Sequence, residues 1–164
     1  MNEYIEHYKY HIIMAMITYL FICLVAFSCQ AEVSIPAIIH IESSGNPNAY
    51  NKDSGAIGLM QITPICLKEA NQKLLMQFQG NQYNIGDLYE PETNVKIGTW
   101  YMNERIPQML KAYKIPDTVN HRLIAFNWGI GHLKKWYRAG ANYKMLPKET
   151  MKYLEKYSRF ISVK

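Results

Sequence analysis

Glu42 is the side chain of this sequence best placed for acid–base chemistry. It closes an apolar stripe in which Ile35, Ile38 and Ile39 fall at i, i+3 and i+4 and Glu42 at i+7, so its carboxylate points with the core face of a short helix. Burial against hydrocarbon disfavours the charged form and predicts a pKa raised toward neutrality. A carboxyl that keeps its proton at working pH is what a departing glycosidic oxygen requires. The plainer alternative is a helix-end glutamate that caps a loop N–H or pairs with a lysine. A Gly/Asn/Ser/Asp loop follows, and the chain re-enters packed structure at Gly58-Leu59-Met60-Gln61. An acid held against apolar residues beside a loop able to cradle a sugar suits glycan cleavage. A second carboxylate, Asp53, lies in that loop. It is either the water-activating partner of a hydrolase or a turn-former bonded to its own backbone.

The elements that must position these groups read as helices separated by clear punctuation. Ser34 is placed to cap the first, with Pro36 in the opening turn, where its missing N–H costs nothing. Pro64 opens a segment to about Phe78, and 80–86 is a polar loop. Pro91 begins another helix with Val95, Gly98 and Met102 on one face, which Pro107 is predicted to kink or end near Ile106. Asp117 to Trp128 is predicted helical, broken by Gly129 and Gly131 before a turn at Leu133–Tyr137. Lys148 to Phe160 carries Tyr153, Tyr157 and Phe160 along one stripe. No long alternating strand pattern occurs, and Leu59–Ile62 is the one candidate for a short strand. The fold class is mainly α.

Five blocks, in order, resemble the catalytic domain of the lytic transglycosylases, which cut bacterial peptidoglycan. They are Glu42-Ser43; Gly58-Leu59-Met60-Gln61; Asp87-Leu88-Tyr89-Glu90-Pro91-Glu92-Thr93-Asn94-Val95; Ala125-Phe126-Asn127-Trp128-Gly129; and Pro147-Lys148-Glu149-Thr150-Met151-Lys152-Tyr153. The likeness covers Ile35 to about Tyr157. It implies a lysozyme-like α+β domain over 32–164, a helical bundle around a glycan cleft with at most a very short β element. It also implies cleavage of the bond between N-acetylmuramic acid and N-acetylglucosamine, with one glutamate as acid and then base and a 1,6-anhydro sugar as product. By this resemblance Glu42 is catalytic, Gln61 with Met60 lines the sugar subsite, and Asn127 shapes the opposite wall. Glu149 either binds the glycan or tunes Glu42, or else serves only as a first-turn carboxylate at its helix N-terminus. For Met60 the alternative is core packing. The family serine corresponds to Ser54, with Asn51 as the alternative.

Phe126 departs from the family pattern, which has tyrosine there, so a hydroxyl expected near the acid is missing. The alternatives to the transglycosylase reading are a goose-type lysozyme using Asp53 and a wall-binding module that kept the cleft and lost turnover.

Residues Ile12 to Phe27 form an uncharged apolar run of sixteen, short for a membrane span of about 20. Ser28, Cys29, Gln30 and Ala31 follow. Residues 1–31 therefore read as a signal peptide cleaved after Ala31, with an uncleaved membrane anchor or an acylated Cys29 as alternatives. Each puts the domain outside the cytoplasmic membrane, in the periplasm or cell envelope, with membrane contact through this segment alone. Of 18 basic and 13 acidic side chains, Lys9 and then Glu3 and Glu6 precede residue 32, leaving 17 against 11 and a formal charge of +6 on the 133 residues that follow. A basic surface favours encounter with anionic peptidoglycan. The Lys and Arg are scattered and no nucleic-acid motif occurs.

Cys66 alone remains after cleavage, so no intrachain disulfide forms, and it reads as a buried helix residue. His7 and His11 are four apart but precede the predicted cleavage point, and His40, His121 and His132 show no metal-binding spacing; no metal or cofactor is implied. His40 lies off the face of Glu42 and reads as solvated. Trp128 is placed near the glycan, and Trp100 and Trp136 in packing. The expected partners are glycan strands, with cell-envelope or secretion-apparatus proteins as further partners.

Overall fold

The computed structural model describes residues 7, 10–19, 32–78 and 82–163, with the backbone alone for 74–78. The chain divides into two compact units, Met1–Ala31 and Glu32–Lys164. In the first, residues 10–19 are helical (α1) and expose Ile12, Ile13, Met14, Met16, Ile17 and Tyr19. No described helix is long and apolar enough to cross a membrane. Residues 20–27 of the apolar run, Cys29 and the cleavage point expected after Ala31 lie outside the described residues.

The second unit is built from helices. In chain order they are α2 (Ile35–Ser43), α3 (Pro64–Phe78), α4 (Pro91–Trp100), a π segment (Tyr101–Arg105), α5 (Ile106–Ala112), α6 (Val119–Trp128), α7 (Ile130–Arg138) and α8 (Lys148–Ser162). Single 3₁₀ turns at Ile85–Tyr89 and Tyr143–Met145 lead into α4 and α8. Fully buried Ile38, Met60, Leu88, Ile97, Ile106, Leu123 and Leu133 come from almost every element, so one core serves the whole unit. Each such side chain contributes roughly 1.5–3 kcal/mol. Helix α2 packs on α8, which in turn packs on α6. Ser34 stands at the N-cap of α2, but its side chain makes no capping bond; its backbone N–H donates to Tyr157 Oη of α8 at 2.8 Å.

Among the described residues there is no sheet, only isolated bridges from Ile57 to Tyr50 and to Ile62. The short strand expected at Leu59–Ile62 is thus a tight turn. Asn94 of α4, fully buried, fixes it with three bonds. Its Nδ2 donates to the carbonyls of Ile57 and Leu88, both at 2.8 Å, and its Oδ1 accepts from the Met60 N–H at 2.8 Å. Gly58 lies within this clamp at φ +79°, where a Cβ would collide with the Asn94 amide and the Leu88 carbonyl.

Two predicted breaks come out differently. The helical backbone does not stop at Pro107. The turn before it widens, with the Ile106 N–H reaching back to Tyr101 O, and Pro107 falls in the first turn of α5. There its missing N–H and its ring are tolerated. Gly129 does break the chain between α6 and α7, at φ +91°, but Gly131 sits inside α7 and Leu133–Tyr137 is helical. One residue in the left-handed region is enough to start a new helix.

Candidate functional site

Glu42 lies on the last turn of α2, where Ile38 is fully buried and Ile35 and Ile39 are half-buried against the core. Its carboxyl opens into a cleft of about 670 Å³ shared by Asn51, Ser54, Gln61, Glu69, Tyr101, Phe126, Asn127, Trp128 and Glu149. Burial pushes its pKa from 4.5 up to about 7. The nearby Tyr153 hydroxyl pulls the value down, the charge of Glu149 pushes it up and Lys156 pulls it down again. Tyr153 is buried on α8 and its hydroxyl makes no hydrogen bond of ordinary geometry, yet it stands close enough to Glu42 for the two to interact. Burial first, then the charge of Glu42, drives the pKa of that phenol well above its usual value, so it remains a donor.

Local bonds hold the acid in place. Ser43 donates to the Leu59 carbonyl at 2.8 Å and to Ile39 O at 3.2 Å, tying the end of α2 to the clamped turn. Ser44 closes the helix at φ 53°, its N–H bonded to His40 O at 3.1 Å. Gln61 also has a left-handed backbone (φ 49°), and its Nε2 donates to Gly58 O at 3.0 Å and Ala49 O at 3.3 Å. Its amide oxygen therefore faces away from these carbonyls and has no partner among the described residues.

The structure brings Glu42, Ser54, Gln61, Phe126, Asn127 and Glu149 onto one cleft. Met60 takes the core-packing alternative and not the place in the sugar subsite. It is fully buried and packs onto Gly98 of α4, where a Cβ would strike its sulfur, so it supports the turn from beneath and does not line the subsite. Ser54 and Asn51 both reach the cleft. Asn51 spends its Oδ1 on the Asp53 and Ser54 N–H groups, at 3.0 and 3.2 Å, while Ser54 Oγ accepts from Ala56 N at 3.3 Å and keeps its proton to donate. Asp53 is exposed in the turn and does not line the cleft wall. Glu149 sits in the first turn of α8, lines the cleft and raises the Glu42 pKa.

Several cleft residues were not foreseen. Glu69 is paired to Arg105 Nε at 2.7 Å. Tyr101 opens the π segment and meets the edge of Phe126, ring centroids 6.2 Å apart. Its hydroxyl, whose pKa burial pushes up to about 12, supplies a donor in the cleft beside the ring that lacks one. Tyr153 belonged to the last of the five blocks and to an apolar stripe, with no role at the acid assigned to it. Its spacing of four from Glu149 puts both on one face of α8, a signal that the sequence did carry. Cys66 is buried, and burial raises its thiol to about 12, so it is neutral at physiological pH and no nucleophile. No group of three or more His, Cys, Asp or Glu side chains able to hold a metal occurs among the described residues.

On the other side of α2, a groove of about 620 Å³ is lined by His40, Ile41, Ser44, Lys156, Arg159, Phe160 and Val163. It holds no carboxylate, and His40, exposed, lies against the Phe160 ring at 5.3 Å between centroids.

The family model for the Transglycosylase SLT domain matches residues 30–146. Membrane-bound lytic murein transglycosylase E of Buchnera aphidicola subsp. Baizongia pistaciae is 38% identical over 104 residues, which cover 62% of this chain and 47% of that protein. Endo-type membrane-bound lytic murein transglycosylase A of Cronobacter sakazakii is 34% identical over 92 residues, covering 55% of this chain and 43% of the relative. The chain thus spans under half the length of these curated relatives. Among solved structures, the 70 kDa soluble lytic transglycosylase of Escherichia coli is similar at a TM-score of 0.59 and 25% identity, over 80% of this chain and 22% of that one. Glu149 and Tyr153, on α8, lie beyond the residues that the family model matches.

Proposed function

We propose that this chain, which belongs to the Transglycosylase SLT domain family, is a peptidoglycan lytic transglycosylase working through Glu42. The observation that carries the reading is a carboxyl in a glycan-sized cleft whose pKa burial has raised to about 7. Such a group is close to half protonated at neutral pH and can serve first as acid and then as base. In the first step Glu42 gives its proton to the oxygen between N-acetylmuramic acid C1 and N-acetylglucosamine, and that C1–O bond breaks. In the second, the Glu42 carboxylate takes the proton of the muramic 6-hydroxyl while O6 bonds to C1. The 1,6-anhydro ring closes, Glu42 is reprotonated and no water is consumed. Tyr153 holds the carboxyl, Glu149 helps keep its proton, and Ser54, Gln61 and Asn127 offer donors and acceptors to N-acetyl and hydroxyl groups. Glu69, the third carboxylate of the cleft, is engaged by Arg105 Nε at 2.7 Å, which supports a one-acid route through Glu42.

The same reading places the protein outside the cytoplasmic membrane, in the cell envelope where peptidoglycan is, in keeping with relatives named membrane-bound and with the apolar run Ile12 to Phe27. The test is mass spectrometry of soluble fragments released from purified peptidoglycan. Fragments one water lighter than hydrolysis products are expected. Full-weight reducing ends would make the enzyme a lysozyme, and no release by a folded, wall-bound protein would make it a binding module.

A further inference from the structure

Trp128 ends α6 and His132 lies in the first turn of α7, with the positive-φ Gly129 folding one back toward the other. Their rings form an offset stack, 12° from parallel with centroids 5.0 Å apart. His132 Nδ1 bonds the Trp128 carbonyl at 2.8 Å. A carbonyl only accepts, so Nδ1 carries the proton, and Nε2 makes no hydrogen bond among the described residues. Lys135 follows three residues on, on the same face of α7, and has no ion-pair partner among the described residues. Its neighbour Lys134 is engaged over the Tyr113 ring at 4.1 Å. Trp128, His132 and Lys135 all line the cleft that holds Glu42, and His132 and Lys135 are exposed in it. This part of the wall joins a flat ring surface to an unpaired ammonium and an imidazole nitrogen free of hydrogen bonds, while the carboxylates of the cleft come from α2, α3 and α8.

We propose that Trp128, His132 and Lys135 form a subsite for a saccharide unit that carries a carboxylate. The proposal rests on the reading of the cleft as a glycan site. The C–H face of the sugar packs on the uncovered part of the stack, and the acidic substituent lies against Lys135 Nζ and beside His132 Nε2, which donates to it in the doubly protonated form of the ring. In peptidoglycan that carboxylate has two sources, the stem peptide or the bare lactyl group of a muramic unit stripped of its peptide.

The experiment measures binding by the full chain bearing Glu42→Gln, so that nothing is cut. The ligands are glycan strands with stem peptides, the same strands stripped of peptide by an amidase, and an N-acetylglucosamine hexamer that has no carboxylate. Adding His132→Gln and Lys135→Gln together is expected to weaken binding about tenfold for one or both acidic ligands and less than twofold for the hexamer. The arm that suffers more identifies the source of the carboxylate. Adding Trp128→Ala is expected to weaken all three. An equal loss on all three ligands from the His132 and Lys135 changes, or no loss at all, would overturn the acidic subsite while leaving the glycan reading intact. Failure of the Glu42→Gln chain to bind any of the three would overturn both. Circular dichroism of each variant separates a binding loss from a folding loss.

Discussion

Helix α2 separates two hollows of nearly equal size, about 670 Å³ on the Glu42 flank and about 620 Å³ on the His40 flank. The first is lined by three carboxylates, two serine or asparagine side chains from the loop after α2, Gln61 and the α6–α7 aromatics. The second is apolar with a basic rim. Size does not distinguish them. The chemistry follows from which flank is closed off. Residues 57–62 fold back over the Glu42 flank, and α8 brings a buried phenol to it, so the carboxyl there is desolvated and its pKa rises to about 7. On the His40 flank the ring stays exposed and rests on Phe160.

The sharpest way to break this contrast is Glu42→Gln. Turnover on peptidoglycan is expected to fall by about 10³-fold or more, since the variant can neither give nor take a proton, while glycan binding survives. The same change should stabilise the protein at high pH. Folded, Glu42 holds its proton to about pH 7; unfolded, it loses it near 4.5. Unfolding in that window releases a proton, so the stability that Glu42 gives to the fold is fully present below 4.5 and is lost as pH rises through about 7. The shift corresponds to at most roughly 3 kcal/mol. Thermal melts should therefore show the variant gaining on the parent between pH 5 and 8. A parallel pH dependence in the two proteins would mean that Glu42 is an ordinary solvated carboxylate.

Asn94→Ala attacks the wall that closes the Glu42 flank. It strands two buried carbonyls and one buried N–H, and roughly 3 kcal/mol and a fall of about 10 °C in Tm are expected. Calorimetry checks this. A loss of activity without a loss of stability would instead place Asn94 in substrate binding.

Two milder changes move the acid in opposite directions. Tyr153 lowers the Glu42 pKa, so Tyr153→Phe should carry the high-pH limb of kcat/KM further up. Glu149 raises it, so Glu149→Gln should bring that limb down. Half a unit of movement changes the rate on the limb about threefold. Profiles that shift the same way in both variants would show that the two residues act on the substrate and not on the acid.

The helices and Glu42 were legible because period and punctuation are local. The stripe Ile35, Ile38, Ile39, Glu42 states which side of α2 is inward, and the prolines at 36, 64 and 91 mark helix starts that the structure retains. What the sequence hid depends on pairings between distant elements. Met60 stayed open between cleft wall and core, and Gly98 on α4 decides it by leaving room for its side chain below the turn. Asn94 resembled one letter of a motif, and only the fold makes it the clamp of a turn 34 residues earlier. Pro107 was read as a breaker because periodicity says nothing of a π turn that shifts the hydrogen-bond register ahead of it. Tyr153 stood in a motif and on an apolar stripe without a role at the acid, since nothing in the chain says that α8 crosses the end of α2 that bears it.

The smallest expected effects lie on the far flank. His40→Ala removes a ring that touches Phe160 and reaches no cleft residue, and it should change turnover less than twofold. Lys156 is the more searching case. It lines the basic groove, yet its charge lowers the Glu42 pKa across the helix. Lys156→Gln should raise that pKa and move the high-pH limb up, in the direction of Tyr153→Phe. The side chain is exposed, so the shift should fade as salt rises from about 0.05 to 0.5 M, whereas that of Tyr153→Phe, made by a buried neutral neighbour, should persist. A shift in Lys156→Gln that resists salt would mean that the two flanks communicate through packing of α2 on α8 and not through charge alone.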